Sequence, residues 1–291
     1  MKHKNLKLFT SIILNLLITV FQIIGGILSG SVALLSDATH NFVDTLSLAI
    51  SFIAIKLSDK NKTIEYTFGY KRAEILAAFF NAVLLLIMSF FLIKEAITHF
   101  FVPTKINSII MMIVAAFGFL ANTFSALLLH HDSKNNMNLR SAYVHLFSDS
   151  AASLAVIIGG ICIFLWQITW IDSLISILIV ILVLKEGYKI LRDSVNILMQ
   201  STPTGLDLKL IQQEILKIDG VKDIHHLHVW QINENDVHLE AHINSTKDIR
   251  ISESCNLMHN IEKLLLTEFH INHVTLQLEY GVCSDASLIK Q

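Results

Sequence analysis

Charged residues are scarce in this chain. Only 16% of its 291 residues are Asp, Glu, Lys or Arg, whereas 53% are hydrophobic and the mean hydropathy is +0.57. Soluble domains carry about 25% charged residues, so this composition excludes an ordinary soluble protein. A basic excess is also lacking because the net charge is −2, which argues against nucleic acid as a partner.

Several chemical motifs are missing as well. The three cysteines are widely spaced and include no CxxC pair, which favours a reducing compartment for any soluble part. The sequence contains no HExxH motif and no GxxxxGK[ST] loop. Their absence argues against an intramembrane metalloprotease and against a pump driven by nucleotide hydrolysis.

Long apolar runs are present instead. A helix that crosses a membrane needs about 20 predominantly apolar residues. Six stretches predict transmembrane helices, at residues 8–29, 32–56, 73–99, 106–130, 142–166 and 169–190. Nearly all Lys and Arg residues fall on one side of this arrangement, whereas Trp166 and Trp170 fall on the other. Because cytoplasmic loops carry the excess of Lys and Arg, both termini are expected in the cytosol.

Ordinary charge density returns after about residue 200. The hydrophobic periodicity there predicts the order α-β-β-α-β, which is typical of a split βαβ unit. We therefore expect an α-helical membrane protein in which six transmembrane helices precede a small cytoplasmic ferredoxin-like domain. The predicted domains are residues 1–200 and 201–291.

Two of the predicted spans contain the same polar spacing. In THNFVD and VHLFSD, His40 precedes Asp44 by four residues and His145 precedes Asp149 by four residues. Residues four apart lie on one face of a helix. If the two faces meet, two imidazoles and two carboxylates converge, which is a tetrahedral ligand set suited to zinc. The alternative is that each pair makes only polar contacts between helices.

Charge balance connects such a site to protons. Two aspartates neutralise one Zn²⁺ ion, whereas two bare carboxylates at membrane depth are costly unless they take up protons. Metal binding in turn releases protons, so the site predicts metal/proton exchange. A haem held by the two histidines would leave both aspartates without a role, and four protein ligands leave no open position for a hydrolytic zinc.

Longer segments around these residues resemble the cation diffusion facilitator family. They are SGSVALLSDATHNFVD, FGYKRAEILAAFFNAVLL, RSAYVHLFSDSAASLAVI, WIDSLISILIVILVL and IHHLHVW, and the resemblance extends from about residue 8 to 280. The paired HxxxD spacing is similar to the zinc-transporting branch, of the bacterial zinc/cadmium/cobalt exporter type. This resemblance implies a homodimer in the bacterial inner membrane that exports zinc, with cadmium and cobalt as further candidates, in exchange for protons by alternating access.

The resemblance also assigns residues in the membrane. It implies that the transport site consists of His40, Asp44, His145 and Asp149. Some bacterial members have Asp in the place of His40, so the histidine favours zinc over manganese or iron. Tyr66 and Tyr70 occupy a loop where some members bind metal, and no metal is expected there.

Other polar residues in the spans are given supporting roles. Asp37 lies three residues before His40 and is expected to orient that histidine rather than bind metal. Gln22 and Asn41 are expected to form hydrogen bonds within the helix packing. Asp172 opens the sixth span, where helix capping is the preferred interpretation.

The cytoplasmic segment is rich in histidine. The family resemblance implies a regulatory metal at the dimer interface, bound at the matching positions His225, His242, Cys255 and Glu279. Such a mixed set suits zinc. The alternative is that several of these histidines only cover the surface of a sheet.

Overall fold

A computed structural model gives the structure of the chain. Its backbone is described for residues 2–102, 105–130, 137–233, 235–281 and 288, and its side chains for residues 16–102, 105–127, 143, 146–233, 235–281 and 288. Two compact units emerge, one of Met1–Ile53 with Ala77–Leu191 and one of Ala54–Leu76 with Arg192–Gln291.

Six long helices follow the six apolar runs. They are α1 Lys2–Ser29, α2 Val32–Ser58, α3 Ala73–Phe101, α4 Ser108–His130, α5 Met137–Trp166 and α6 Trp170–Leu198. The segments Val32–Ser58, Ala73–Phe101, Ser108–Leu127 and Leu146–Trp166 are long and apolar enough to cross a membrane. The chain is therefore an integral membrane protein with four clear spans, and the six-span topology remains a prediction.

The helices of the first unit pack through small and branched apolar side chains. Leu34, Met111 and Val156 are buried in one cluster, whereas Phe90 and Leu182 are more than two-thirds exposed. Large apolar side chains that face outward are suited to contact with lipid. In lipid, the N–H and C=O groups of the backbone must form their hydrogen bonds within the helices.

The second unit contains a three-stranded sheet and two shorter helices. Its elements are α7 Leu208–Leu216, β1 Val221–Gln231, β2 Val237–Ser245, α8 Ile251–Phe269 and β3 His273–Glu279. The sheet order is β1-β2-β3, with β1 antiparallel to β2 and β2 parallel to β3. A split βαβ unit has a strand between its two parallel strands, but here β2 and β3 are direct neighbours. The ferredoxin-like assignment stays a prediction.

One face of this sheet forms the core of the second unit. Ile215 of α7 and Ile261 of α8 are fully buried against Leu239 and Ile243 of β2. Because side chains alternate along a strand, the residues between these apolar positions point to the opposite face. That opposite face carries most of the histidines of the second unit.

Candidate metal sites

The membrane-embedded unit brings three predicted ligands together. The i,i+4 spacing on α2 places His40 one turn before Asp44, and their Nε2 and Oδ2 atoms lie 3.5 Å apart. From α5, Asp149 places its Oδ1 atom 3.7 Å from the same Nε2 atom of His40. All three side chains are mostly buried. The polar faces of α2 and α5 therefore meet at His40 and Asp149.

Each of these two distances is compatible with a pair of ligands on one metal ion. In a tetrahedral zinc site with ligand bonds of about 2.0–2.1 Å, neighbouring ligand atoms lie about 3.3 Å apart. The distances from His40 to the two carboxylates exceed this value by only a few tenths of an ångström. The fourth predicted ligand, His145, belongs to α5, but its side chain lies outside the described residues.

Asp37 is held by a hydrogen-bond network rather than by the metal ligands. Its Oδ2 atom accepts hydrogen bonds of 3.0 Å from Gln22 Nε2 and from the Ser153 hydroxyl. Gln22 also accepts a hydrogen bond of 2.9 Å from Asn41 Nδ2. A Cβ atom at Gly118 would lie 2.5 Å from Gln22 Nε2, so glycine leaves room for the amide. Asp37 thus links α1, α2 and α5 next to the candidate site.

Asp172 has its hydrogen-bond partners at the start of another helix. Its carboxylate accepts hydrogen bonds from the Ser31 hydroxyl at 2.5 Å, from Val32 N at 2.7 Å and from Ala33 N at 3.3 Å. These groups lie at the start of α2, whose first N–H groups have no partner within the helix. Asp172 therefore caps a helix, as expected, but the helix is α2, because packing brings its carboxylate to the N-terminus of α2.

The second unit contains a separate ligand cluster on the polar face of its sheet. His225 of β1, His242 of β2 and Glu279 of β3 each provide one ligand atom, and these atoms lie within 4.8 Å of one another. His225 Nε2 is 3.3 Å from Glu279 Oε2, and His242 Nδ1 is 2.8 Å from Glu279 Oε1. Two imidazoles and a carboxylate form a set that binds zinc well.

A carboxylate behind His225 orients its ring. His225 Nδ1 lies 2.8 Å from Asp223 Oδ1, and Asp223 Oδ2 accepts a hydrogen bond of 3.0 Å from Asn244 Nδ2. Metal-binding histidines usually donate their second N–H group to such a partner, which fixes the tautomer. Nε2 of His225 is then the nitrogen directed at Glu279. Asp223 is not among the residues that the sequence predicted for this site, although it lies only two residues before His225.

A bulge changes the expected alternation of the histidines on β1. The register between β1 and β2 shifts between His225 and His228, and His226 has a φ of +55°. The ring centroid of His226 consequently lies 4.7 Å from that of His242. Regular alternation along a strand would put the neighbours His225 and His226 on opposite faces, but a bulge inserts an extra residue and changes these directions.

Cys255 lies apart from the other predicted ligands. It is exposed on α8, where its Sγ atom contacts the Ile251 carbonyl oxygen at 3.4 Å. Because α8 packs on the apolar face of the sheet, the thiol is separated from the polar face that carries Glu279. Among the residues that the structure describes, this cluster, here called the cytoplasmic cluster, therefore consists within one chain of His225, His242 and Glu279.

A second histidine cluster was not predicted. The buried His238 ring stacks on Trp230 at a centroid distance of 5.4 Å and approaches the His273 ring at 4.3 Å. Phe68 contacts His238 edge to face at 5.6 Å. Burial lowers the pKa of His238, and the neighbouring charge of His273 lowers this pKa further. His238 and His273 are brought together by the pairing of β2 with β3. The sequence indicates such a cluster only through the high density of histidines in this segment.

Two profiles of known protein families match this chain. The profile of the cation efflux transmembrane domain matches residues 8–199, and the profile of the cation efflux protein cytoplasmic domain matches residues 203–280. Together the two profiles span nearly the whole sequence.

Three bacterial proteins are similar to this chain along most of their length. The cadmium, cobalt and zinc/H(+)-K(+) antiporter of Bacillus subtilis is 39% identical and is aligned over 89% of this chain and 84% of its own. The zinc transporter ZitB of Escherichia coli is 36% identical over 90% and 83%. The metal cation efflux system protein CzcD of Cupriavidus metallidurans is 34% identical over 92% and 84%.

Proposed function

This chain belongs to the cation diffusion facilitator family of cation efflux proteins, and we propose that it exports zinc from the cytosol in exchange for protons. It is a transporter and not an enzyme. One observation carries the proposal above the others, namely the meeting of His40, Asp44 and Asp149 between two membrane helices. The full proposed site adds His145 from the same helix as Asp149.

The chemistry of these groups supports zinc as the cargo. Imidazole nitrogens and carboxylate oxygens are common zinc ligands, and two aspartates balance the charge of the ion. A loaded site is then formally neutral, which reduces the cost of holding Zn²⁺ at membrane depth. Cadmium and cobalt are proposed as further substrates, since a relative of this chain carries all three metals in its name.

The same charge argument supports exchange with protons. When zinc leaves, two carboxylates close to one imidazole favour proton uptake, because uncompensated charge is costly in a low dielectric. When zinc binds, these groups must lose their protons. Metal and protons therefore exclude each other at the site, and alternating access to the two membrane faces converts this exclusion into coupled transport.

The decisive experiment replaces Asp149 by asparagine in purified protein reconstituted into vesicles. With an acidic lumen, the wild-type protein should accumulate zinc, and Asp149→Asn should reduce uptake to the level of protein-free vesicles. The control is Asp193→Asn, which removes an exposed carboxylate from α6. Wild-type uptake by the Asp149 variant would refute the site, and uptake without a pH gradient at the full rate would refute proton coupling.

The cytoplasmic cluster is proposed to bind a regulatory zinc ion. The donor set of His225, His242 and Glu279 supports this role, and the Asp223 carboxylate supports the required orientation of His225. Cys255 is retained only as a candidate from elsewhere in an assembly, because it lies apart from these three residues within one chain.

Three further proposals follow from the family and the charge pattern. The chain acts as a homodimer, in which the cytoplasmic domain contributes to the contact. It resides in the bacterial inner membrane with both termini in the cytosol, since Lys and Arg residues concentrate on one side of the helices. Residues 1–200 form the transport domain and residues 201–291 the cytoplasmic domain.

A further inference from the structure

The connection between α2 and α3 packs on the sheet of the second unit and leaves a pocket there. Lys71 forms an ion pair with Asp236, and Phe68 contacts His238. Beside these contacts lies an open cavity of about 570 Å³, whose walls include Tyr66, Tyr70, Arg72 and Trp230. None of these four residues has a role in the proposed metal sites.

The position of the pocket along the chain relates it to the membrane surface. Leu57, in the last turn of α2, and Leu76, in the first turn of α3, both line the cavity. Both helices are long and apolar enough to cross a membrane. A connection between two such helices starts and ends at one membrane face, so we expect this cavity near the headgroup layer, where lipid is the most abundant small amphipathic molecule.

The charge in the pocket is positive and uncompensated by the described part of the chain. Arg72 is half-buried and forms no ion pair with any residue that the structure describes, whereas the adjacent Lys71 is paired with Asp236. Partly burying a cation without a carboxylate is unfavourable. A guanidinium group binds phosphate oxygens in a bidentate geometry, so an anionic phosphate group would offset this cost.

The aromatic walls suit the remainder of a lipid. The Tyr66 and Tyr70 rings lie 4.6 Å apart in a tilted arrangement, and Trp230 lines the same cavity. Tyrosine and tryptophan prefer the headgroup level of a bilayer because one end of each ring is apolar and the other is polar. We propose that this pocket binds one anionic phospholipid of the cytoplasmic leaflet, with Arg72 contacting its phosphate.

Tryptophan fluorescence offers a direct test on the full-length protein. The chain has three tryptophans, so Trp166→Phe with Trp170→Phe leaves Trp230 as the only reporter. The protein is placed in nanodiscs that contain a rising mole fraction of brominated phosphatidylglycerol or, in a parallel series, of brominated phosphatidylcholine, since bromine quenches a tryptophan that it contacts. We expect quenching of Trp230 at about a fivefold lower fraction of the anionic lipid, which corresponds to one basic contact.

Matched variants assign the preference to the pocket. Arg72→Gln should abolish it, whereas Lys60→Gln removes the same charge from an exposed position on the same connection and should retain it. Equal quenching by the two lipids in the Trp230 reporter protein would overturn the proposal, whatever the stability of the Arg72 variant. Retained preference in Arg72→Gln, or displacement of the anionic lipid by soluble glycerol phosphate, would overturn it too.

Discussion

Replacing Asp172 by alanine should destabilise the membrane-embedded unit, because this carboxylate holds the start of another helix. Asp172 lies on α6 and is almost fully buried. It accepts hydrogen bonds from the Ser31 hydroxyl, from Val32 N and from Ala33 N. Alanine would remove all three acceptor contacts at once and would leave the first N–H groups of α2 without this partner.

The size of the effect follows from these contacts. Loss of an N-terminal cap costs about 1 kcal/mol, and a buried donor left unsatisfied adds about 1–3 kcal/mol. The expected loss is therefore roughly 2–4 kcal/mol in the free energy of unfolding. For a domain of this size, that loss lowers the midpoint of thermal unfolding by about 4–16 °C.

The assay is thermal unfolding of the purified protein in detergent, followed by loss of the monodisperse peak in size-exclusion chromatography. Asp172→Asn keeps one oxygen acceptor and should show about half the shift. Asp193→Ala, on the exposed part of the same helix, should show almost none. An unchanged midpoint for Asp172→Ala would refute the argument that this residue anchors α2 to α6.

Two further predictions concern the cytoplasmic unit. The pKa of His238 is lowered in the folded state, so the unfolded chain binds its proton more tightly, and this histidine reduces stability as the pH falls below about 6.5. In His238→Gln, the midpoint of thermal unfolding should therefore fall less between about pH 8 and pH 5, and an unchanged fall would contradict the burial argument. Glu279→Gln should abolish zinc binding at the cytoplasmic cluster in equilibrium dialysis, whereas Cys255→Ser should retain it. Equal zinc content in these two variants would contradict the proposal that Glu279, and not Cys255, is a ligand within one chain.

Features that depend on a local physical signal were predictable from the sequence. Six helices follow the apolar runs because the backbone in lipid must satisfy its own hydrogen bonds. The length and hydropathy of each run are therefore enough to predict a helix there. The family was also identifiable from the motifs, and the matches over residues 8–199 and 203–280 confirm it. The spacing of His40 and Asp44 placed both on one helix face, since that relation depends only on helical periodicity.

Relations between distant segments were harder to predict. Asp37 was assigned to orient His40, yet its described hydrogen bonds go to Gln22 and Ser153 on two other helices. A polar residue in a span has several possible neighbours, and only helix packing selects among them. Cys255 was grouped with the cytoplasmic ligands by position in the family pattern, whereas α8 carries it on the other side of the sheet from Glu279.

The sequence by itself determined the membrane class of this protein, its family and the two HxxxD pairs, because hydropathy and helical spacing are local properties. Only the tertiary structure decided that Asp172 caps α2 rather than α6, and that Asp223 stands behind His225. The bulge in β1 likewise depends on pairing with β2 and cannot be read from alternation in one strand. These features arise when packing brings together groups from different segments of the chain. The contacts that determine such packing are distributed over the whole unit, so no single segment of the sequence predicts them.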